Sequence, residues 1–165
     1  MGSSGPGPGP SPLTARLAAD HGEIDGLIHQ ATEAFGRGSP GEAHATLDRL
    51  WMRLAVHIRA EHRVLFPALS EVRPDLRASL GLLRADHDGF MATLAGAVKA
   101  LEGLPQDLES ARAALEAVRK RLAPHNRLEE ERIYPAAGTL PPALQVDLLE
   151  AVSRELAALP ARYTR

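Results

Sequence analysis

At 165 residues, with a formal net charge of -2 and no cysteine, the chain is long enough to build one hydrophobic core. The balanced charge offers no pull toward nucleic acid or an anionic membrane. The missing thiols exclude disulfides, thiolate zinc sites, iron–sulfur clusters and cysteine catalysis. No apolar run reaches the length of a membrane span, and the N-terminus shows neither a basic nor an apolar leader segment. The expected compartment is therefore the cytoplasm.

Residues 1–11 are Gly, Pro and Ser after Met1, a composition that cannot offset its ordering entropy, so a flexible tail is expected. Ser11-Pro12 then reads as an N-cap followed by proline at the first helical position. The folded part is expected over 12–160. A first helix over 12–36 carries the stripe Leu13, Leu17, His21, Ile24, Ile28, Ala31 and Phe35, and ends at Gly36/Gly38. A second, over 40–66, carries Leu47, Leu50, Trp51, Leu54, His57, Glu61 and Val64 and stops before Pro67. A third, over 75–103, repeats the pattern with Leu76, Leu80, Leu83, His87, Phe90/Met91 and Leu94. The fourth, over 106–134, carries Leu115, Val118, Leu122, His125, Glu129 and Ile133, with Pro124 predicting a kink or loosened turn inside it. An extra helix over 141–159 should either cover one flank or mediate a homodimer. No segment alternates with period two, so the expected fold is all-α: an up-down-up-down antiparallel four-helix bundle with an additional C-terminal helix.

The chemistry lies in what interrupts these stripes. His57-Ile-Arg-Ala-Glu61-His-Arg-Val-Leu-Phe-Pro67 returns sixty-eight residues later as His125-Asn-Arg-Leu-Glu129-Glu-Glu-Arg-Ile-Tyr-Pro135. A His and a Glu four apart share one helix face, and here that face is otherwise apolar. Leu17-Ala-Ala-Asp-His21 likewise matches Leu83-Arg-Ala-Asp-His87, so the chain reads as a duplicated helical hairpin. In the up-down order, His21 and His87 near the starts of two helices meet the His/Glu pairs near the ends of the other two. Six ionisable side chains then share one buried layer. Burying an unpaired carboxylate costs several kcal/mol or forces protonation. Bound metal removes that conflict; without it, at least one of Glu61 and Glu129 should take up a proton or draw in water.

The set His21, His57-x-x-x-Glu61, His87 and His125-x-x-x-Glu129, with Leu-Phe-Pro after the first pair, resembles the hemerythrin-like family, the HHE cation-binding domain. The resemblance spans about residues 12–135. It implies a non-haem centre of two iron ions with an oxo or hydroxo bridge, His21, His57, His87 and His125 as terminal ligands, and Glu61 and Glu129 bridging. Zinc and manganese are substitutes such donors accept. The implied function is reaction with, or sensing of, dioxygen, peroxide, nitric oxide or iron, with a small diatomic molecule or peroxide as the partner. Oxygen-carrying members have a further histidine four residues after the third-helix histidine, where this chain has Met91. That leaves an open or water-filled position on each ion, and favours reactive chemistry or sensing over reversible oxygen storage. A peroxidase-like or nitric-oxide-reducing enzyme, and a module that uses metal only to hold the bundle closed, are the other readings.

The neighbouring residues carry weaker signals. His29, His44 and His62 read as solvated, although His62 aligns with Glu130 in the repeat and either could serve beside the metal. Asp20 and Asp86 read equally as exposed side chains or as carboxylates that orient an imidazole. Tyr134, the counterpart of Phe66, reads as core packing, with redox or hydrogen-bonding work near the metal as the lesser reading, and Glu130 and Glu131 read as part of a solvated face.

Overall fold

The structure is a computed structural model that describes residues 10–160. Of the tail expected over 1–11, residues 1–9 lie outside the described residues. All regular structure among the described residues is helical.

Helix α1 spans Pro12–Gly36, and its cap is the one written in the sequence: the Ser11 hydroxyl accepts from Thr14 N–H, with Pro12 opening the first turn. It ends at Gly38, whose φ of 65° lets Ser39 N–H reach back to the Ala34 carbonyl. Helix α2 spans Pro40–Ala60. The sequence predicts a stop before Pro67, but the chain instead widens into a π-helical turn over Glu61–Leu65 and continues as α3, Phe66–Val72. Proline removes an amide donor and its ring crowds the carbonyl four residues back. A turn widened to i→i+5 bonding, here Phe66 N–H to the Glu61 carbonyl, lets the helix pass the ring.

After a single 3₁₀ turn at Pro74–Leu76, α4 spans Arg77–Glu102. Helix α5 spans Leu108–Leu128, capped by Asp107, whose carboxylate accepts from Ser110 N–H at 2.9 Å. The helix runs through Pro124. The loosened turn lies farther on, over Glu129–Ile133, where it repeats the first π-turn ahead of Pro135 and α6, Tyr134–Ala137. Helix α7 spans Pro142–Ala157.

Helices α1 and α2 pack along each other, as do α4 and α5; α2 meets α4, and α1 closes more loosely on α5. Helix α7 lies along the α1/α2 flank, burying Leu148, Val152 and Leu156, and its Glu155 pairs with Arg59. The core falls into two apolar clusters. One joins Ile24–Phe35 of α1 with Leu47–Ile58 of α2, Phe90–Leu101 of α4 and Ala111–Leu122 of α5. The other joins Leu13, Leu17, Leu65, Phe66, Leu80, Leu83, Ile133 and Tyr134 with the inner face of α7. On each of the four long helices, the residues between the two clusters are the ionisable ones. At ~1.5–3 kcal/mol for each large apolar side chain buried, these clusters hold the polar layer in place.

Candidate metal centre

His21, His57, Glu61, His87, His125 and Glu129 are all buried, with Glu61 and Glu129 wholly so. The helices bring all six together. His21 Nε2 lies 3.2 Å from His57 Nε2 and 3.2 Å from Glu129 Oε2, and His57 Nε2 lies 3.6 Å from Glu61 Oε1. On the other side, His87 Nε2 lies 3.4 Å from Glu61 Oε2 and 3.6 Å from Glu129 Oε1, and His125 Nε2 lies 3.1 Å from Glu129 Oε1. Each carboxylate therefore turns one oxygen toward the His21/His57 pair and the other toward His87/His125. The donor atoms form two groups that could each hold a metal ion, His21–His57–Glu61–Glu129 and His87–His125–Glu129.

Orientation is fixed from outside. His57 Nδ1–H donates to Asp20 at 3.0 Å, His21 Nδ1–H to Glu130 at 2.7 Å, and His125 Nδ1–H to Asp86 at 3.4 Å. His87 Nδ1 lies 2.8 Å from His62 Nε2. With every Nδ1 engaged outward, every Nε2 faces inward, the orientation that such outer partners give to ligating histidines. Asp20 is fully buried and also holds Arg53; Asp86, partly exposed, holds Arg121. The solvated reading of His62 is thus corrected, since it is part-buried against His87; Glu130 is half exposed, as a solvated face implies, and its carboxylate also reaches His21. Their signal was the repeat itself, which pairs them as it pairs the inner residues. His29 is exposed as expected, and His44 sits beside Glu102 at 3.2 Å.

Tyr134 does more than pack. Its buried hydroxyl donates to Glu61 Oε1 at 2.9 Å and lies 3.1 Å from His21 Nε2. Burial, together with the Glu61 and Glu129 charges, pushes its pKa well up, so the phenol keeps its proton. Phe66, at the matching place, stacks on His87 with ring centroids 6.0 Å apart. Phe90 sits edge-on to His125 at 5.1 Å, and Met91 packs at the margin of the first apolar cluster.

At Glu129 the electrostatics oppose a proton on the carboxyl. Burial alone would protonate Glu129, but the imidazoles of His125, His21 and His87 hold its carboxyl well below the usual range. Burial opposes a proton on His57 and on His125, yet the neighbouring glutamates outweigh it and raise both. Glu129 is thus held toward its ionised form, and His57 and His125 toward their protonated forms. Burial first, and then the nearby His87 and Arg84, bring His62 down to about 4.

Even so, Glu61 Oε2, His87 Nε2 and both Glu129 oxygens are buried with no hydrogen bond of good geometry. Buried polar atoms without partners are costly, and here they converge on one place. Nitrogen and oxygen donors turned to a shared interior suit a divalent or trivalent transition metal. A groove of about 740 Å³ between α1 and α5 runs up to His21, lined by His21, Asp25, Asn126 and Glu130 among others. Tyr134 and Glu130 line a second hollow, of about 520 Å³, beside the start of α1. Among the described residues, no helix is long and apolar enough to cross a membrane.

No curated protein and no solved structure matches the chain. The family model of the hemerythrin HHE cation binding domain does match, over residues 13–137. That span holds the four long helices and all six inner residues, so the chain belongs to the hemerythrin HHE cation-binding family.

Proposed function

We propose that the protein is a non-haem di-iron protein that reacts with or senses a small oxidant or diatomic molecule, dioxygen, peroxide or nitric oxide. The observation that carries this reading is the inward set of four imidazole Nε2 atoms around two carboxylates, three of whose four oxygens, Glu61 Oε2 and both of Glu129, lack hydrogen-bond partners. His21 and His57 would hold one ion, His87 and His125 the other, and Glu61 and Glu129 would bridge them. The up-down-up-down order of the four long helices fits this layer, because it joins the starts of α1 and α4 to the ends of α2 and α5. When bound, the iron pair supplies electrons to the incoming molecule.

The protein's own residues set the conditions for that chemistry. Asp20, Glu130, Asp86 and His62 lock each imidazole with Nε2 inward. Tyr134 keeps a hydroxyl proton against Glu61 Oε1, a hydrogen-bond donor at the edge of the centre. The two apolar clusters exclude bulk water above and below, and the α1/α5 groove would bring a small molecule as far as His21. Met91, where oxygen carriers have another histidine, supports reaction over storage.

Metal analysis of protein from iron-replete cells should give two iron ions per chain, and chelation should lower the melting temperature. Rapid mixing of the ferrous protein with each oxidant should then give fast, one-way oxidation with at least one of them. One ion per chain at saturation would rule out the pair. A colour change with oxygen that reverses when oxygen is removed would make oxygen storage the function. Bound iron that reacts with none of the three would leave the metal a structural role.

A further inference from the structure

The inner residues of the two halves match one for one, but the residues behind them do not. Asp20 on His57 is repeated by Asp86 on His125, each next in sequence to the histidine of its own half. Glu130, next to Glu129, holds His21, and the repeat places His62, next to Glu61, on His87. Three imidazoles thus lean on carboxylates and the fourth leans on an imidazole. We infer that the two metal positions are unequal, the His21/His57 position binding its ion more tightly than the His87/His125 position, because His62 occupies a place the repeat otherwise gives to a carboxylate. The inference rests on the two-ion reading above and adds an order of filling.

A carboxylate that accepts from Nδ1–H draws the proton toward itself and leaves Nε2 richer in electron density, a better donor to a cation. It also places a negative charge within a few ångströms of the ion. His62 can do neither as well, since an imidazole brings no negative charge in any protonation state. By burial alone, the remaining outer contact points the same way. Asp20 is fully buried at 3.0 Å from His57, whereas Asp86 is partly exposed and 3.4 Å from His125, where water weakens its field. Each aspartate also holds an arginine, but Asp20 faces the nearly buried Arg53 and has Arg16 at 3.8 Å, whereas Arg121 on Asp86 is largely exposed, so stronger neutralisation at Asp20 offsets its deeper burial. A further contact opposes the order: Tyr134 donates to Glu61 Oε1 and drains some density from the His21/His57 side. The inequality that remains is Glu130 on His21 against His62 on His87, a carboxylate in direct contact at 2.7 Å against an imidazole, and a single neutral donor does not reverse it.

Removing an outer partner of this kind typically costs about tenfold to hundredfold in metal affinity. The test is a titration with cobalt(II), followed by visible absorption and by the paramagnetically shifted imidazole N–H signals, on the full chain and on the two variants that exchange the odd residue, H62E and E130H. In the parent, two steps should be resolved. H62E should tighten the second step by about tenfold or more and leave the first in place, whereas E130H should weaken the first by a similar factor. The N–H signals seen at one equivalent should shift in E130H and stay put in H62E. Glu130 is half exposed, so E130H carries the test even if the partly buried H62E folds poorly. Repulsion between the ions could also separate the two steps, and the variants distinguish this: steps that neither variant moves would overturn the inference while leaving the two-ion reading intact. So would an H62E effect on the first-filled position. Saturation at one ion would instead remove the two-ion reading itself.

Discussion

Replacing Tyr134 with Phe isolates one hydrogen bond in the buried layer. The ring, its stacking on His21 at 5.6 Å and its volume in the second apolar cluster are all retained. What is lost is the hydroxyl that donates to Glu61 Oε1 at 2.9 Å, between a tyrosine 3 % exposed and a glutamate 0 % exposed. A hydrogen bond to an ionised acceptor contributes about 1.5–3 kcal/mol, and an acceptor left buried without its donor forfeits that in full. For a chain of this size, a loss of about 2 kcal/mol lowers the melting temperature by about 4–8 °C. The assay is urea and thermal unfolding of the metal-free protein, because a bound cation would commit Glu61 and mask the loss. The mirror change serves as control. Phe66→Tyr adds a hydroxyl where the repeat puts it beside Glu129, whose oxygens lack hydrogen bonds, and should not lose stability. A Tyr134→Phe variant within about 0.5 kcal/mol of the parent would refute the reasoning, since Glu61 would then be satisfied by water or another donor.

Two further outcomes follow from the same layer. His57 and His125 have raised pKa values, so their contribution is complete below the unfolded value of about 6.5 and is lost as pH rises through their folded values. Glu129 is depressed, so its contribution is present above its unfolded value of about 4.3 and is lost as pH falls through the lower folded one. Metal-free protein should therefore lose the His57 and His125 contribution above about pH 6.5 and the Glu129 contribution below about pH 4.3, while His62, brought down to about 4, adds an opposing loss as pH falls below about 6.5. Urea midpoints read the net profile, and one flat from about pH 6.5 to 9 would contradict the raised imidazoles. Asp20→Asn breaks a buried contact with Arg53 and His57 and should cost about 3 kcal/mol, whereas Asp86→Asn, whose Arg121 partner is largely exposed, should cost about 1 kcal/mol or less. Equal losses in the two would show that burial does not set the difference.

The four apolar stripes, and the histidines and glutamates that interrupt them, were legible because α-helical periodicity is local: Leu17, His21, Ile24 and Ile28 share a face whatever surrounds them. The outer partners were not legible by that rule. On an α-helix successive side chains point about 100° apart, so the residue after an inward glutamate should turn toward solvent. His62 and Glu130 instead face His87 and His21, because both lie in π-helical turns where the advance per residue is smaller. Periodicity also could not show Tyr134 meeting Glu61, a contact across seventy-three residues of chain. The signals that reached further were the exact spacing of the repeat, which pairs His62 with Glu130 and Phe66 with Tyr134, and the proline six residues after each glutamate.

Those prolines tie the backbone to the centre. Pro67 and Pro135 cannot donate to a regular helical ladder, and in both halves the preceding turn widens, starting at Glu61 and at Glu129. A π-turn is rare and its bonds are poorer than those of an α-helix, and it recurs at functional sites. Here it lets two successive residues, Glu61 with His62 and Glu129 with Glu130, both face the buried layer. Replacing both prolines with alanine restores the missing amides and lets the helices relax toward 3.6 residues per turn. Relaxation would swing His62 and Glu130 outward, releasing His87 and His21 from their outer partners. The double variant should therefore equal or exceed the parent in metal-free stability while losing about tenfold or more in cobalt(II) affinity. Unfolding and metal titration on one preparation separate the two effects. Unchanged affinity would mean that the side-chain layer, rather than the prolines, holds the turns open.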